Sequence, residues 1–250
     1  MLNGSADPEA HLAGAPTLGS VGSEPVTLRE VEIVQVMCEA ATAPITELLP
    51  PALHPTVPGI VSWLAYRCPE SPWGPFQMVQ TRIQCRSGNR PRAFLLGGMI
   101  DSADAANALS AGWGYRLGEA EIFFRRSYAS TEISVHRGET EILSLELSEP
   151  VLLPTEATQF VSGMHPAVTP EGDYRLIQCD ARHTLTRAER ATSVDLDFTS
   201  EAWGSSLVTP LHIVSGAIGV GEVTLAAPRY AYRPGEFGFV GGESLGPPPA

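Results

Sequence analysis

Residues 76–99 read FQMVQTRIQCRSGNRPRAFLLGGM, two runs rich in Val, Ile, Leu and Phe on either side of a Ser-Gly-Asn-Arg-Pro break. Apolar runs bounded by such turn residues predict strands, here Phe76–Arg86 and Ala93–Met99. Apolar runs bounded by turn residues recur at close intervals along the chain and predict ten more strands. These are Leu28–Met37, Gly59–Tyr66, Ala120–Arg126, Glu132–His136, Glu141–Leu147, Thr158–Met164, Tyr174–Cys179, Ser193–Phe198, Leu211–Gly216 and Val223–Ala226.

Only two segments predict helices. Ala43–Leu49 precedes the helix-breaking pair Pro50-Pro51, and Ala103–Ser110 follows an N-cap signal at Asp101 and Ser102. Many short strands with few helices predict a mostly β (α+β) fold. We expect an antiparallel sheet closed into a β-cone or barrel, with an internal cavity for one small ligand.

The two ends of the chain differ in composition from its middle. Residues 1–25 are rich in Gly, Ala, Ser and Pro without an apolar period, so we expect a disordered leader. This segment lacks the basic start and apolar stretch of a secretory signal, which predicts a cytoplasmic protein. Residues 235–250 predict a disordered Gly/Pro-rich tail, leaving one domain over residues 26–234.

Composition excludes several classes of partner. The 250 residues carry a net charge of −12, which disfavours nucleic acid and anionic lipid as partners. No apolar run approaches the roughly 20 residues of a membrane-spanning helix. Cys179 and His183 have a ligand-like gap, but no second pair completes a site, so we expect no metal and no cofactor.

The basic residues exclude a further set of mechanisms. All 16 are arginine, and the chain contains no lysine. A Schiff base on a lysine amine, a lysine general base and a P-loop lysine are therefore impossible.

Several short motifs together resemble the acetoacetate decarboxylase-like superfamily over the region from Leu48 to Tyr232. The motifs are Leu48-Leu49-Pro50-Pro51-Ala52-Leu53, Gly74-Pro75-Phe76, Leu109-Ser110-Ala111, Tyr115-Arg116-Leu117-Gly118 and Ile122-Phe123-Phe124. The resemblance implies an antiparallel β-cone with an internal cavity, often a homo-oligomer, and a Schiff base between a lysine and a substrate ketone.

This chain departs from the family pattern at the positions that carry the chemistry. On the resemblance, Tyr115 and Arg116 stand where the family has two lysines, and Trp63 and Met78 where it has two glutamates. The resemblance therefore implies a divergent member without the Schiff-base lysine.

Alternation along strands extends the candidate site from these positions. Phe76, Gln80 and Arg82 share the face of Met78, and Arg67 shares the face of Trp63. The candidate catalytic residues are Tyr115, Arg116 and His165. The candidate substrate-binding residues are Trp63, Arg67, Phe76, Met78, Gln80, Arg82 and Trp113.

Each of these candidates has a purely structural alternative. Arg67 and Arg82 would pair with acidic residues such as Glu70, and Trp63 and Met78 would fill a core. His165, which precedes a proline, would be a turn residue.

Two functions remain open at this point. The first is an enzyme that works by non-covalent acid–base chemistry. An arginine would hold a substrate carboxylate, and Tyr115 or His165 would move a proton during decarboxylation, dehydration or cyclisation of a keto or polyketide-like substrate. The second is a non-catalytic small-molecule binding protein. The surroundings of Tyr115 distinguish them: a phenol that lines an open pocket with Arg or His within reach favours the enzyme, and a phenol packed into a filled core favours the binding protein.

Overall fold

The computed structural model describes residues 2–19, 24–236 and 241–245. These residues form fifteen strands, two α-helices and two short 3-10 helices. The helices are α1 (Thr42–Leu48) and α2 (Ala103–Trp113). The strands are β1 (Val26–Ala40), β2 (His54–Pro55), β3 (Gly59–Cys68), β4 (Phe76–Ser87), β5 (Arg90–Ile100), β6 (Leu117–Glu119), β7 (Glu121–Arg126), β8 (Ser130–Arg137), β9 (Thr140–Leu153), β10 (Gly163–Val168), β11 (Tyr174–Cys179), β12 (Ala181–Phe198), β13 (Pro210–Leu225), β14 (Tyr230–Tyr232) and β15 (Gly242–Ser244).

All fifteen strands belong to one sheet, and the prediction of a mostly β fold is confirmed. The strand order is β15-β14-β11-β10-β5-β4-β3-β1-β13-β12-β9-β8-β7, with β2 on β4 and β6 on β5. The sheet is mixed, because β5 pairs in parallel with both β6 and β10. Over the described ranges, the end strands β7 and β15 do not pair with each other, so the sheet remains open.

Two cores lie on the two faces of this sheet. The first, called the α1 core, contains Ile45 of α1 with Trp63 and Val79. The second, called the α2 core, contains Leu109 of α2 with Met78. Strand β4 contributes alternate residues to each core, as the two-residue period of a strand requires. Any residue of β4 can therefore be assigned to a core by counting from Met78.

The strand predictions hold best where turn residues bound the apolar run. Tyr174–Cys179 forms β11 with the predicted bounds. Thr158–Met164 was wrong, because its first five residues lie outside any strand and β10 begins only at Gly163. The predicted strand Leu211–Gly216 and all but the last residue of Val223–Ala226 are instead parts of the single strand β13. Gly221 lies within β13 without breaking it. The neighbouring strand β12 comes so close there that a Cβ on Gly221 would overlap the Thr184 carbonyl oxygen, so glycine permits the pairing.

Helix α2 begins as its sequence predicts. Ser102 is the N-cap, and its hydroxyl oxygen accepts a hydrogen bond from the Ala105 backbone N–H at 3.4 Å. The helix extends three residues beyond the predicted end and stops at Gly114, whose φ of 67° lies in the left-handed region that glycine adopts without strain. Among the described residues, no helix is long and apolar enough to cross a membrane.

Residues 2–19 differ from the disordered leader that their composition predicts. The Gly4 N–H donates to the Leu53 carbonyl, and the Leu18 N–H donates to the Val168 carbonyl, both at 2.8 Å. Leu18 is only 2% exposed and lies in the α2 core. Isolated apolar side chains and paired backbone groups hold this segment, and neither produces a periodic pattern in the sequence.

The end of the chain shows a similar difference. Residues 242–244 form β15 beside β14, and Arg175 and Arg233 both donate to the Glu243 carboxylate. The rest of the expected leader and tail, residues 1, 20–23, 237–240 and 246–250, lies outside the described residues.

We expect Leu18→Ala to lower the melting temperature by roughly 5–15 °C. Removing a buried leucine side chain costs about 2–5 kcal/mol, and a domain of this size loses roughly 2–4 °C per kcal/mol. Leu12→Ala is the matched control, because Leu12 lies in the same segment but is 38% exposed. Equal melting temperatures for the two variants would show that the segment does not pack on the domain in solution.

Candidate active site

A buried arginine lies at the centre of the candidate site. Arg82 extends from β4 into the α2 side of the sheet and is 4% exposed. Its Nη2–H donates to the Val161 carbonyl oxygen at 2.7 Å, and its Nε is buried without a hydrogen-bond partner in the described structure. Of the Asp and Glu residues described, none forms an ion pair with it. The protein therefore holds a buried positive charge that lacks a counterion of its own.

Tyr115 and His165 meet beside this charge. Gly114 ends α2 and turns the chain, so that Tyr115 enters the α2 core. Its ring packs edge-on against the His165 imidazole with 4.4 Å between ring centroids. The Trp113 carbonyl accepts from His165 Nδ1 at 3.0 Å, so the proton is on Nδ1 and the Nε2 lone pair is free. A Cβ on Gly163 would overlap Nε2, so a glycine is required there.

A second tyrosine–histidine pair lies near the same guanidinium. Tyr66 is on β3 and His183 is on β12, with β1 and β13 between them in the sheet. Their side chains nevertheless meet, with 3.2 Å between the Tyr66 hydroxyl and His183 Nε2. This contact shows how strongly the sheet curls. Phe160 covers the His183 ring, with 4.4 Å between centroids.

Burial and the charge of Arg82 together determine the protonation states of the site. Burial first, and repulsion from Arg82 second, lower the pKa of His165 to about 3 and that of His183 to about 4. Burial raises the pKa of Tyr115 and of Tyr66 well above the ordinary tyrosine value. At neutral pH both imidazoles are neutral, both phenols are protonated, and Arg82 is the only charged group of the five.

We expect the protein to lose stability as the pH falls from 7 to 5. The unfolded chain protonates its histidines below about pH 6.5, whereas His165 and His183 stay neutral when folded, so the unfolded state binds more protons. Thermal melts of His183→Gln should show a smaller drop across this range than the parent protein. The exposed His212→Gln is the control. Identical slopes for the parent and His183→Gln would contradict a His183 that stays neutral in the folded protein.

Comparison with known proteins identifies the family. The family model described as acetoacetate decarboxylase (ADC) matches residues 15–234, which include every residue of the site above. The chain belongs to the acetoacetate decarboxylase family. A search of curated proteins finds no match.

Solved structures of this family share the fold. An acetoacetate decarboxylase from Legionella pneumophila is 16% identical with a TM-score of 0.73, covering 84% of this chain and 88% of that one. The enduracididine biosynthesis enzyme MppR, complexed with pyruvate, is 16% identical with a TM-score of 0.68, covering 86% and 97%. An acetoacetate decarboxylase-like enzyme from Sphingomonas wittichii RW1 is 12% identical with a TM-score of 0.63, covering 83% and 93%. At these identities the likeness shows the fold alone.

The structure separates the two residues expected at the family's lysine positions. Tyr115 faces the buried cluster, but Arg116 does not. Arg116 lines a crevice of about 370 Å³ with Gly97 and Glu201, and a Cβ on Gly14 would overlap its guanidinium. Consecutive residues of an extended segment point to opposite sides, so only one of the two can enter the site. The expectation that Arg116 is catalytic is corrected.

Trp63 and Arg67 are also absent from the site. Trp63 packs on Phe198 in the α1 core, with 4.8 Å between ring centroids. Arg67 forms an ion pair with Glu32 at 3.2 Å and lies over the Phe124 ring. The resemblance assigns Trp63 to the face of β3 that points into the site, but the next residue, Leu64, occupies that face. A shift of one residue moves every side chain of a strand to the other face. Leu64 pairs with Gln80 and Tyr66 pairs with Met78, so Leu64 and Tyr66 lie on the α2 side of the sheet.

The remaining candidates lie together on the α2 side. Gln80 is buried beside Met78, and its Nε2–H donates to the Met78 Sδ at 3.6 Å. Phe76, Met78 and Trp113 belong to the same core as Tyr115. Trp113 contributes its carbonyl, which orients His165 and also accepts from Cys179 Sγ at 2.9 Å. Sequence reasoning missed Tyr66 and His183 as site residues, because only the curl of the sheet brings β3 and β12 together.

Proposed function

We propose that this chain is an enzyme that binds a small oxo carboxylate on Arg82 and moves a proton beside its ketone, without forming a Schiff base. The observation that carries the proposal is the buried Arg82 guanidinium, which meets neutral imidazoles and phenols but no described carboxylate. The absence of lysine from the sequence excludes a lysine Schiff base with the ketone.

A substrate carboxylate would supply Arg82 with a counterion and with hydrogen-bond acceptors. A buried charge is costly unless a counterion and hydrogen bonds satisfy it. Among the described residues Arg82 has a single hydrogen bond, so most of its donors remain for a ligand, and a guanidinium matches the two oxygens of a carboxylate. The structure of MppR with pyruvate supports this choice, because pyruvate is an oxo carboxylate and that protein has the same fold.

His165 and Tyr115 have complementary parts in the proton transfer. His165 Nε2 takes the proton from the carbon beside the ketone, the C–H electron pair becomes a C=C bond, and the ketone oxygen becomes an enolate. Tyr115 O–H and Arg82 stabilise this oxygen as its charge develops. The bound carboxylate also offsets the repulsion that Arg82 exerts on His165, which raises the pKa of the imidazole and makes it a better base.

The enolate is common to the reactions that fit this site. Dehydration and cyclisation both begin by removing a proton beside a ketone. Decarboxylation of a β-keto acid produces an enolate and ends when its carbon is protonated.

Proton exchange tests the proposal without knowledge of the natural substrate. Pyruvate in D₂O with the protein should exchange its methyl protons for deuterium faster than without it, as followed by NMR. Borohydride added to a parallel sample should leave the intact mass unchanged, apart from reaction at the α-amino terminus. A reduced adduct on an internal residue would contradict the mechanism. Pyruvate binding without exchange would instead indicate a binding protein that lost the chemistry.

We further propose that the protein is a cytoplasmic homo-oligomer. The four cysteines are unpaired and buried, as suits a reducing compartment. Leu211, Ile213 and Val214 form an exposed apolar run on β13, which suits a contact between subunits.

A further inference from the structure

The Tyr66–His183 pair is built like the pair that the proposed function uses. Each pair joins a buried phenol to a neutral imidazole near Arg82, although His165 is buried and His183 only half-buried. In the first pair the Trp113 carbonyl accepts from His165 Nδ1, and in the second the Tyr66 hydroxyl meets His183 Nε2 at 3.2 Å. In the tautomer that has its proton on Nδ1, His183 Nε2 accepts and the Tyr66 O–H donates to it.

The two pairs approach Arg82 from different directions. In the sheet, Arg82 is on β4; β5 and β10 follow on one side, and β3 is the neighbour on the other. His165 is on β10 and Tyr66 is on β3. A ligand held by the Arg82 guanidinium therefore has one tyrosine–histidine pair on each side of the arginine's strand.

The segment that precedes β10 closes the site around Arg82. Val161 gives its carbonyl to Arg82, and Phe160 covers His183. Both residues lie between η1 (Thr155–Ala157) and β10. Phe160 therefore covers one face of the His183 ring, which is itself half-buried.

We propose that Tyr66 and His183 form a second proton-transfer pair, so that the site removes protons from both faces of the carbon beside the substrate ketone. This inference rests on the proposed function, in which His165 serves one face. It names the reaction class more closely as hydrogen exchange at the carbon beside the ketone, or inversion of that carbon where it carries a single hydrogen.

The second transfer balances without any further reactant. The substrate proton passes to the Tyr66 oxygen while the Tyr66 O–H proton passes to His183 Nε2. The C–H electron pair becomes the C=C bond of the enolate, and His183 becomes an imidazolium. The reverse sequence returns a proton to the same face of the carbon.

Deuterium exchange into 2-oxobutyrate tests the inference, because its methylene carries two distinguishable hydrogens. Two bases on two faces should exchange both, so mass spectrometry of 2-oxobutyrate after incubation in D₂O should show two deuterons. Tyr66→Phe keeps the ring but removes the transferable proton, and it should incorporate only one deuteron. The second exchange should slow by about 10²–10⁴-fold. Tyr232→Phe is the control, because its hydroxyl donates to Gln178 outside the site, and it should exchange both hydrogens.

The outcomes separate this inference from the function on which it rests. Two deuterons in Tyr66→Phe, or a single deuteron in the parent protein, would overturn the second pair and leave His165 as the base. No exchange above the blank in the parent protein would overturn both. If Tyr66→Phe fails to fold, His183→Gln carries the same expectation of one deuteron.

Discussion

Arg82→Met should weaken the binding of pyruvate by about 10²–10³-fold in a calorimetric titration. Removing one partner of a buried ion pair costs about 3–5 kcal/mol, since the other charge then stays buried and unpaired, and each 1.4 kcal/mol corresponds to a factor of ten. The ligand-free variant should be as stable as the parent or more stable. Arg82 has no carboxylate partner in the part of the chain that the structure describes, so its replacement removes a buried charge that is unpaired before the ligand arrives.

Two other arginines provide matched controls for this experiment. Arg92 is buried on the neighbouring strand β5 and donates to Gln178, and Arg116 lines the crevice next to Gly14. Arg92→Met and Arg116→Met should bind pyruvate like the parent protein. Normal binding by Arg82→Met, or a comparable loss in Arg116→Met, would contradict the assignment of the carboxylate to Arg82.

Tyr115→Phe should slow pyruvate exchange by about 10²–10⁴-fold, the range expected when one acid–base group is lost. The substitution removes the hydroxyl that stabilises the enolate oxygen and keeps the ring that packs on His165. The melting temperature should change little, because the shape of the core is preserved. Parallel NMR exchange measurements on Tyr128→Phe, a fully exposed control, should match the parent.

The size of the Tyr115 effect also distinguishes the two functions. If the site only binds, the same substitution should remove about one hydrogen bond, or roughly 0.5–1.5 kcal/mol of affinity. Full exchange activity in Tyr115→Phe would remove Tyr115 from the mechanism and leave His165 as the next residue to replace.

Local patterns predicted the side of the sheet on which Gln80 and Arg82 lie. Alternation from Met78 placed both correctly, although the register of β4 with β5 shifts between Thr81 and Arg82. The extra residue of that bulge, Leu96, is on β5, so the alternation of β4 is unbroken. A bulge changes the side of the sheet to which side chains point only on the strand that contains the extra residue.

The same local patterns could not predict strand register or contacts between residues that are far apart in the sequence. Trp63 was assigned to the wrong face because a resemblance fixes register only to within a residue, whereas one residue decides the face of a strand. Tyr66 and His183 are 117 positions apart, and no local signal links them. Residues 2–19 pack by isolated contacts, such as Leu18 in the α2 core, that composition does not reveal.

A crystal structure of the protein with pyruvate tests the central claim most directly. We expect the pyruvate carboxylate to lie about 3 Å from the Arg82 guanidinium, as in charge-assisted hydrogen bonds. The ketone carbon should lie near Tyr115 and His165 without a covalent bond to the protein. Pyruvate bound away from Arg82, or electron density joining its ketone carbon to a side chain, would contradict the account.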